Sequence, residues 1–403
     1  MKKLLLFLLW FILSYPTQSQ AKALPRPSGK HSIGVTYLSF TDDSRKELFD
    51  NSLQKNREIT VKAWYPTGNS SKPEPYLLDA ESEFAIKYLQ FPEIFRDLKT
   101  NSSRDVPVSS GKKDFPVLVF SHGWGEHYCQ NTILMEELAS HGYIIFSIAH
   151  HYECKFTSSP KGRIIYLDGN SLRFQKIMQE QQNPKAMELF HKMFSASNDK
   201  ERMQVFVETN NILPTLLGEG PKYWAEDISF FLNQLKDINR DNKIFKDKLN
   251  LEKIGVFGMS MGGIATSEIC ITDRRIKAGI NVDGGLFGST SNNKIQIPFM
   301  FLNSKRFLGY GNLFIRKSTM DCYSLSVKNS DHYNFTDYSI YSVPFATPQM
   351  GTIDGNKIIE IMNVSILSFF DKYLKEIEDI DLVQKVKEYP EIEIATNING
   401  MKN

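Results

Sequence analysis

The pentapeptide Gly258-Met259-Ser260-Met261-Gly262 constrains this chain more than any other stretch. Ile254-Gly255-Val256-Phe257 before it reads as a buried strand, and Gly263 to Ile269 after it as a helix opening on small residues. A serine in G-x-S-x-G between a strand and a helix reads as a nucleophile elbow. The sharp turn pushes the hydroxyl out of the sheet, and Gly258 and Gly262 leave room where a Cβ would strike neighbouring backbone. Ser260 then stands at a helix N-terminus, whose partial positive charge favours negative charge forming there.

The flanking sequence supplies a sheet beneath that elbow. Pro116-Val117-Leu118-Val119-Phe120 and Tyr143 to Ile148 are continuous apolar runs suited to strands buried on both faces, with a helix expected over 132–141 between them. That order predicts a parallel, right-handed crossover. Further strands are expected at 277–282, 297–302 and 322–327, a helix at 224–238 leading into the elbow strand, and a closing helix at 357–376. Ile33 to Leu38 and Ile59 to Pro66 read as antiparallel opening strands, and 81–89 as a helical piece. The fold class is α/β, a mostly parallel central sheet with helices on both faces. Between 155 and 221 the alternation stops. A hairpin arm at 163–169 and helices over 171–193 and 199–210 predict an inserted cap over the C-terminal edge of the sheet, where ligands of such sheets bind.

Composition narrows the partners. With 41% hydrophobic residues, 23% charged residues and a net charge of +2, the chain is of ordinary globular type and carries no global field for nucleic acid. Lys2-Lys3, the apolar run Leu4 to Leu13 and Ala21-Lys22-Ala23 read as a signal peptide over 1–23, cut after Ala23 with Ala21 as second choice. The run is too short to span a bilayer, so a single exported domain over 24–403, periplasmic or extracellular, is expected. Export permits disulfides, and Cys129 and Cys154, each just beyond a predicted strand, could meet at one sheet edge, which leaves their pairing open; Cys270 and Cys322 complete the set. Neither the cysteines nor His150-His151 with Glu153 match a zinc pattern, so no metal and no cofactor is expected.

A serine hydroxyl needs a base to take its proton. In elbow architectures the order is serine, acid, histidine, and His332 is the single histidine after Ser260. It follows a predicted strand, at the edge that carries the elbow. Asp283 directly follows the 277–282 strand and is the favoured acid. Asp321 comes too late in its connection, and Asp331 is poorly placed to reach the ring of its neighbour His332. For the oxyanion, the expected donors are the backbone N–H groups of Met261 and of Trp124 in the loop His122-Gly123-Trp124-Gly125. His122 reads as a hydrogen-bonding brace of that loop.

Several ordered stretches carry a resemblance: Phe120-Ser121-His122-Gly123-Trp124-Gly125, Leu138-Ala139-Ser140-His141-Gly142-Tyr143, Gly258 to Gly263, Ile280-Asn281-Val282-Asp283, Pro298 to Ser304, and His332-Tyr333-Asn334-Phe335-Thr336-Asp337. From about Ile59 to Leu374 the chain resembles the platelet-activating-factor acetylhydrolases of the secreted, lipoprotein-associated phospholipase type. The resemblance implies an α/β-hydrolase fold and an acid after the same strand as Asp283. The chain departs from the family at Met259, where animal members often carry His, and at Trp124, which replaces a smaller apolar residue. Neither departure removes a backbone donor. The 155–221 segment matches poorly.

The expected activity is that of an exported serine esterase acting on short or oxidised acyl esters of phospholipids, with transient contact to a membrane or micelle surface. A general carboxylesterase or polyester hydrolase on the same scaffold is the alternative, and a catalytically silent binding protein the more distant one. Leu189, Phe190, Met193, Phe194, Val205 and Phe206 are the apolar residues of the insertion from which an acyl-side wall is expected.

Overall fold

In the computed structural model, which describes residues 22–111, 114–159, 162–291, 293–307, 310–315, 318–398 and 401–402, the apolar run at 116–120 becomes the strand Phe115–Ser121 at the centre of the sheet. Val117 and Val119 enter one apolar layer, while Leu118 and Phe120 enter the other. Ile144, Phe146 and Ile148 divide from Ile145 in the same way, and Val256 from Phe257. This two-sided burial is why the runs are continuous rather than alternating. The first layer is covered by the helices Gly220–Asp241 and Met261–Thr272, the second by Thr132–Ser140 and Gly355–Tyr373.

Six neighbouring strands are parallel, in the spatial order 322–327, 299–303, 276–282, 249–259, 115–121 and 144–150. The chain leaves Phe115–Ser121 toward Ile144–His150 on one side, then returns to place Leu249–Met259 on the other. That reversal opens a crevice at the C-terminal ends of the two central strands. Asn56–Thr67 and Ser32–Lys46 extend the sheet antiparallel, as the sequence predicts.

Other elements differ from expectation. The helix expected over 171–193 is broken: Leu172–Gln181 ends, Asn183 caps a new start by accepting from Lys185 N–H, and Pro184 opens Pro184–Ser195. The hairpin arm is shorter, Phe156–Ser158 against Ile164–Tyr166. A π-helical turn, Pro214–Glu219, runs directly into Gly220–Asp241. At the far edge, Ile392–Ile398 pairs antiparallel with Cys322–Val327, a strand the sequence reading lacked. Residues 1–21, most of the signal peptide expected over 1–23, lie outside the described residues.

Cys129 and Cys154, whose pairing the sequence leaves open, do not form a disulfide, and all four cysteines are free and buried. Cys129 Sγ instead lies 3.5 Å from the buried ammonium of Lys62, which donates to it. Thiol labelling of unreduced protein is therefore expected to count four reactive cysteines in denaturant and none in the native state. A count of two in denaturant would contradict the structure.

A buried charge cluster ties the opening strands to the first helical layer. Arg57 is fully buried and pairs with Asp227 at 2.6 Å and Glu47 at 2.7 Å, while Arg45 reaches Asp227 at 2.7 Å. Burial alone would raise the Asp227 carboxyl, but the Arg57 guanidinium and a His150 hydrogen bond outweigh it and hold the group well below the usual carboxylate range. Asp227→Asn leaves two guanidinium groups short of a counter-charge and is expected to cost about 3 kcal/mol in denaturant unfolding.

Candidate active site

The elbow is built from backbone contact. A Cβ on Gly258 would stand 2.3 Å from the Gly262 carbonyl oxygen, and one on Gly262 only 2.1 Å from the Ser121 oxygen. Both positions exclude any side chain. Ser260 adopts φ 56°, ψ −123°, a left-handed conformation rare for a residue with a Cβ. Its N–H donates to Val282 O at 2.8 Å, which anchors the turn to the next strand. Such a conformation costs about 1–3 kcal/mol and persists because the surroundings over-determine it.

His332 lies in a short 3₁₀ turn, His332–Phe335, after the strand Cys322–Val327. Its Nε2 is 3.1 Å from Ser260 Oγ, and its Nδ1 is 2.6 Å from Asp283 Oδ2. The other Asp283 oxygen accepts from Ser304 N–H at 2.7 Å. Burial pushes the Asp283 carboxyl up, but the hydrogen bond to His332, its charge and the Ser304 N–H together bring it below the ordinary value. An ionised carboxylate only accepts, so Nδ1 carries the ring proton and Nε2 turns its lone pair to the Ser260 hydroxyl. Asp331 accepts from the backbone N–H of His332 at 2.8 Å and pairs with Arg306, away from the ring. Asp321 accepts from Tyr373 OH at 2.8 Å, before the start of its strand.

Trp124 and Met261 flank the serine. Met261 opens the helix after Ser260, and a Cβ on Gly123, next to Trp124, would lie 3.4 Å from Ser260 Cβ. Met259 is buried, and its sulfur accepts from Gln130 Nε2 at 2.8 Å. Gln130 Oε1 in turn accepts from Gly123 N–H at 3.1 Å, joining elbow and loop. Glu126 joins the loop to the histidine side: its carboxylate accepts from Tyr333 OH, Tyr338 OH and Lys155 Nζ at 3.0, 2.8 and 3.1 Å. Sequence reasoning missed Gln130, Glu126 and Ser304, because no motif marks a residue that acts by holding another.

The insertion reaches the site through apolar groups. Trp124 stacks on Phe174 with ring centroids 6.1 Å apart, and a Cβ on Gly220 would come within 2.7 Å of the Met261 methyl. Phe206 is buried edge-on to Phe287 and Tyr310, both at 4.7 Å, and its ring would lie 3.3 Å from a Cβ on Gly285. Leu189, Met193 and Val205 are buried. Phe190 is exposed at the surface, so it does not join that wall. The Phe194 side chain lies outside the described residues. His150, His151 and Glu153 are engaged with Asp227, Thr60 and Trp224, and among the described residues no group of three His, Cys, Asp or Glu is arranged for a metal.

The profile of the family described as platelet-activating factor acetylhydrolase, isoform II, matches residues 16–391. The chain belongs to that family. Platelet-activating factor acetylhydrolase of Canis lupus familiaris is 25% identical over 412 residues, covering 93% of this chain and 83% of its own. The Gallus gallus protein of the same name is 24% identical and covers 89% of this chain and 85% of its own. A probable 1-alkyl-2-acetylglycerophosphocholine esterase of Arthroderma benhamiae is 24% identical over 67% of this chain and 60% of its own. Among solved structures, a ferulic acid esterase from Streptomyces cinnamoneus superposes with a TM-score of 0.69 at 21% identity, covering 92% of this chain and 98% of that one. The fold is thus the α/β-hydrolase fold, and this acetylhydrolase-family chain is an ester hydrolase.

The strain at the elbow has a measurable consequence. Ser260→Gly removes the Cβ that makes φ 56° costly, against a smaller entropic loss from glycine in the unfolded chain. A net stabilisation of about 1 kcal/mol in denaturant unfolding is expected. Equal or lower stability would mean that Ser260 is not strained.

Proposed function

We propose that this acetylhydrolase-family protein hydrolyses the acetyl or other short or oxidised acyl ester of phospholipids, with Ser260 as nucleophile, His332 as base and Asp283 as the group that orients the histidine. The observation that carries the reading is the position of the His332 ring, one nitrogen on Ser260 and the other on Asp283. Ser260 Oγ attacks the ester carbonyl while His332 Nε2 takes its proton. The backbone N–H groups of Trp124 and Met261 receive the oxyanion. His332 then protonates the departing alcohol oxygen, leaving an acyl ester on Ser260. A water molecule, deprotonated by His332, attacks that ester and frees the acid.

The acyl preference rests on extraction from lipid. Each methylene drawn from a bilayer costs about 0.8 kcal/mol, so short or oxidised chains leave more readily. The names of the relatives point the same way. The basic, apolar and Ala21-Lys22-Ala23 regions within residues 1–23 support the reading that the protein is exported. Among the described residues no helix is long and apolar enough to cross a membrane.

Two measurements decide the reading. A fluorophosphonate probe is expected to label wild-type protein at Ser260 and to leave Ser260→Ala unlabelled; Asp283→Asn should fold and lose on the order of 10⁴ in kcat. A silent binding protein would not label. Turnover of phosphocholine esters of graded acyl length should fall with length, and Phe206→Ala should move the cutoff. Rates rising steadily with length would instead defeat the short-acyl preference. Activity should also withstand chelator, because the oxyanion donors are N–H groups; its loss, restored by calcium, would refute the mechanism.

A further inference from the structure

Behind the active site lies a second hydrogen-bonded series of serine, histidine and aspartate. Ser121 Oγ is 2.7 Å from His150 Nε2, and His150 Nδ1 is 2.7 Å from Asp227 Oδ2. All three residues are fully buried, and the His150 ring is stacked on Trp224 at 3.8 Å between centroids. Asp227 is also occupied by Arg45 and Arg57. No substrate can reach Ser121, so this series does not perform a second hydrolysis. Its place suggests another use, since it ends at the loop that carries Trp124.

The protonation pattern can be read off from one end to the other. Asp227 is an ionised acceptor, so His150 Nδ1 bears the proton and Nε2 accepts from Ser121 Oγ–H. Burial depresses His150, to about 4, against the opposing pull of Asp227, which keeps the ring neutral at physiological pH. The backbone N–H of His150 then donates to His122 Nε2 at 3.2 Å. A backbone amide can only donate, so His122 is fixed as the Nδ1–H tautomer. That Nδ1–H donates to the carbonyl oxygen of Gly123 at 2.7 Å.

Gly123 O and the Trp124 N–H belong to one planar trans peptide and point in opposite directions. Holding the carbonyl toward the buried His122 ring therefore turns the Trp124 N–H the other way, and Gly123 itself lies against Ser260, where a Cβ would stand 3.4 Å from Ser260 Cβ. Among the described residues that N–H has no acceptor, whereas its neighbours do: Gly125 N–H donates to Glu153 O and Glu126 N–H to Gly123 O, both at 2.9 Å. Without His122 the Gly123 carbonyl keeps only the Glu126 N–H. Glycine at 123 lets the peptide swing, and the donor would swing with it.

We infer that His122, its tautomer set by the backbone of His150 and anchored through His150 to Asp227, is a positioning residue that aims the Trp124 N–H at the developing oxyanion. The inference rests on the serine-hydrolase reading above. It concerns the transition state, because the oxyanion forms only there.

The test uses the full chain with His122→Ala, His122→Asn and His122→Gln, and Ser260→Ala as reference. Asparagine places an amide N–H near the Nδ1 position, while glutamine places it near Nε2. Turnover of a short-chain phosphocholine ester and thermal unfolding are measured for each. Loss of one oxyanion donor costs about 10²–10³ in kcat, and misdirecting one is expected to cost about 10–100-fold, with KM changed less than about twofold. His122→Asn should return to within about fivefold of wild type, and His122→Gln should stay with His122→Ala although both unfold at similar temperatures. Equal kcat for Asn and Gln, an unimpaired His122→Ala, a loss confined to KM, or failure of all three to fold would each overturn the proposal. Ser260→Ala separates the two levels. Full turnover there removes the serine-hydrolase reading and this proposal with it, whereas a dead Ser260→Ala beside an active His122→Ala overturns this proposal alone.

Discussion

The rest of the site depends on one close approach of backbone to backbone. The carbonyl oxygen of Ser121 lies against both Gly258 and Gly262, and that of His122 against Gly262, so close that a Cβ at either glycine would collide with them. This contact fixes the elbow relative to the neighbouring strand in the register that pairs Ser121 with Gly258. It brings the loop after Phe115–Ser121 beside Ser260. On the other side, Ser260 and Asp283 are tied to the next strands through Val282 O and Leu302 O, which receive their N–H groups, and His332 follows the strand Cys322–Val327. The geometry is therefore inherited from the sheet, with little left to mobile side chains.

Much of this was legible from residues alone. Continuous apolar runs gave the central strands because burial on both faces leaves no polar position. The elbow was legible because only glycine tolerates such contact, and His332 and Asp283 because the order along the chain left few candidates. What escaped has a common cause. Lys99–Arg104 is a strand of polar residues, made by pairing with Ser32–Lys46 rather than by its own pattern. Ile392–Ile398 does alternate, but its meaning depends on a free edge beside Cys322–Val327 that only the assembled sheet provides. The break at Asn183-Pro184 was written in the sequence as a cap followed by proline. The free state of Cys129 was not, since it depends on Lys62, distant in sequence and adjacent in space.

The chemistry and the surroundings of the site are attached by different means. Backbone hydrogen bonds and glycine contacts hold Ser260 and Asp283. The insertion touches them through Phe174, Phe206 and the Met261–Gly220 contact, all apolar. Exchange of one such side chain alters the space beside Ser260 without breaking a hydrogen bond among Ser260, His332 and Asp283. This is a scaffold on which substrate range can drift while the reaction stays fixed.

The carboxylate of Glu126 has a consequence for how the protein comes into being. It gathers three loops, and its bond to Tyr338 spans 212 residues of chain. Contacts of such sequence separation close late in folding, after local helices have formed. The loop beside Ser260 and the loop carrying His332 are thus joined only when nearly the whole sheet exists. Partly folded intermediates would carry Ser260 and His332 apart, without the arrangement proposed to cleave an ester.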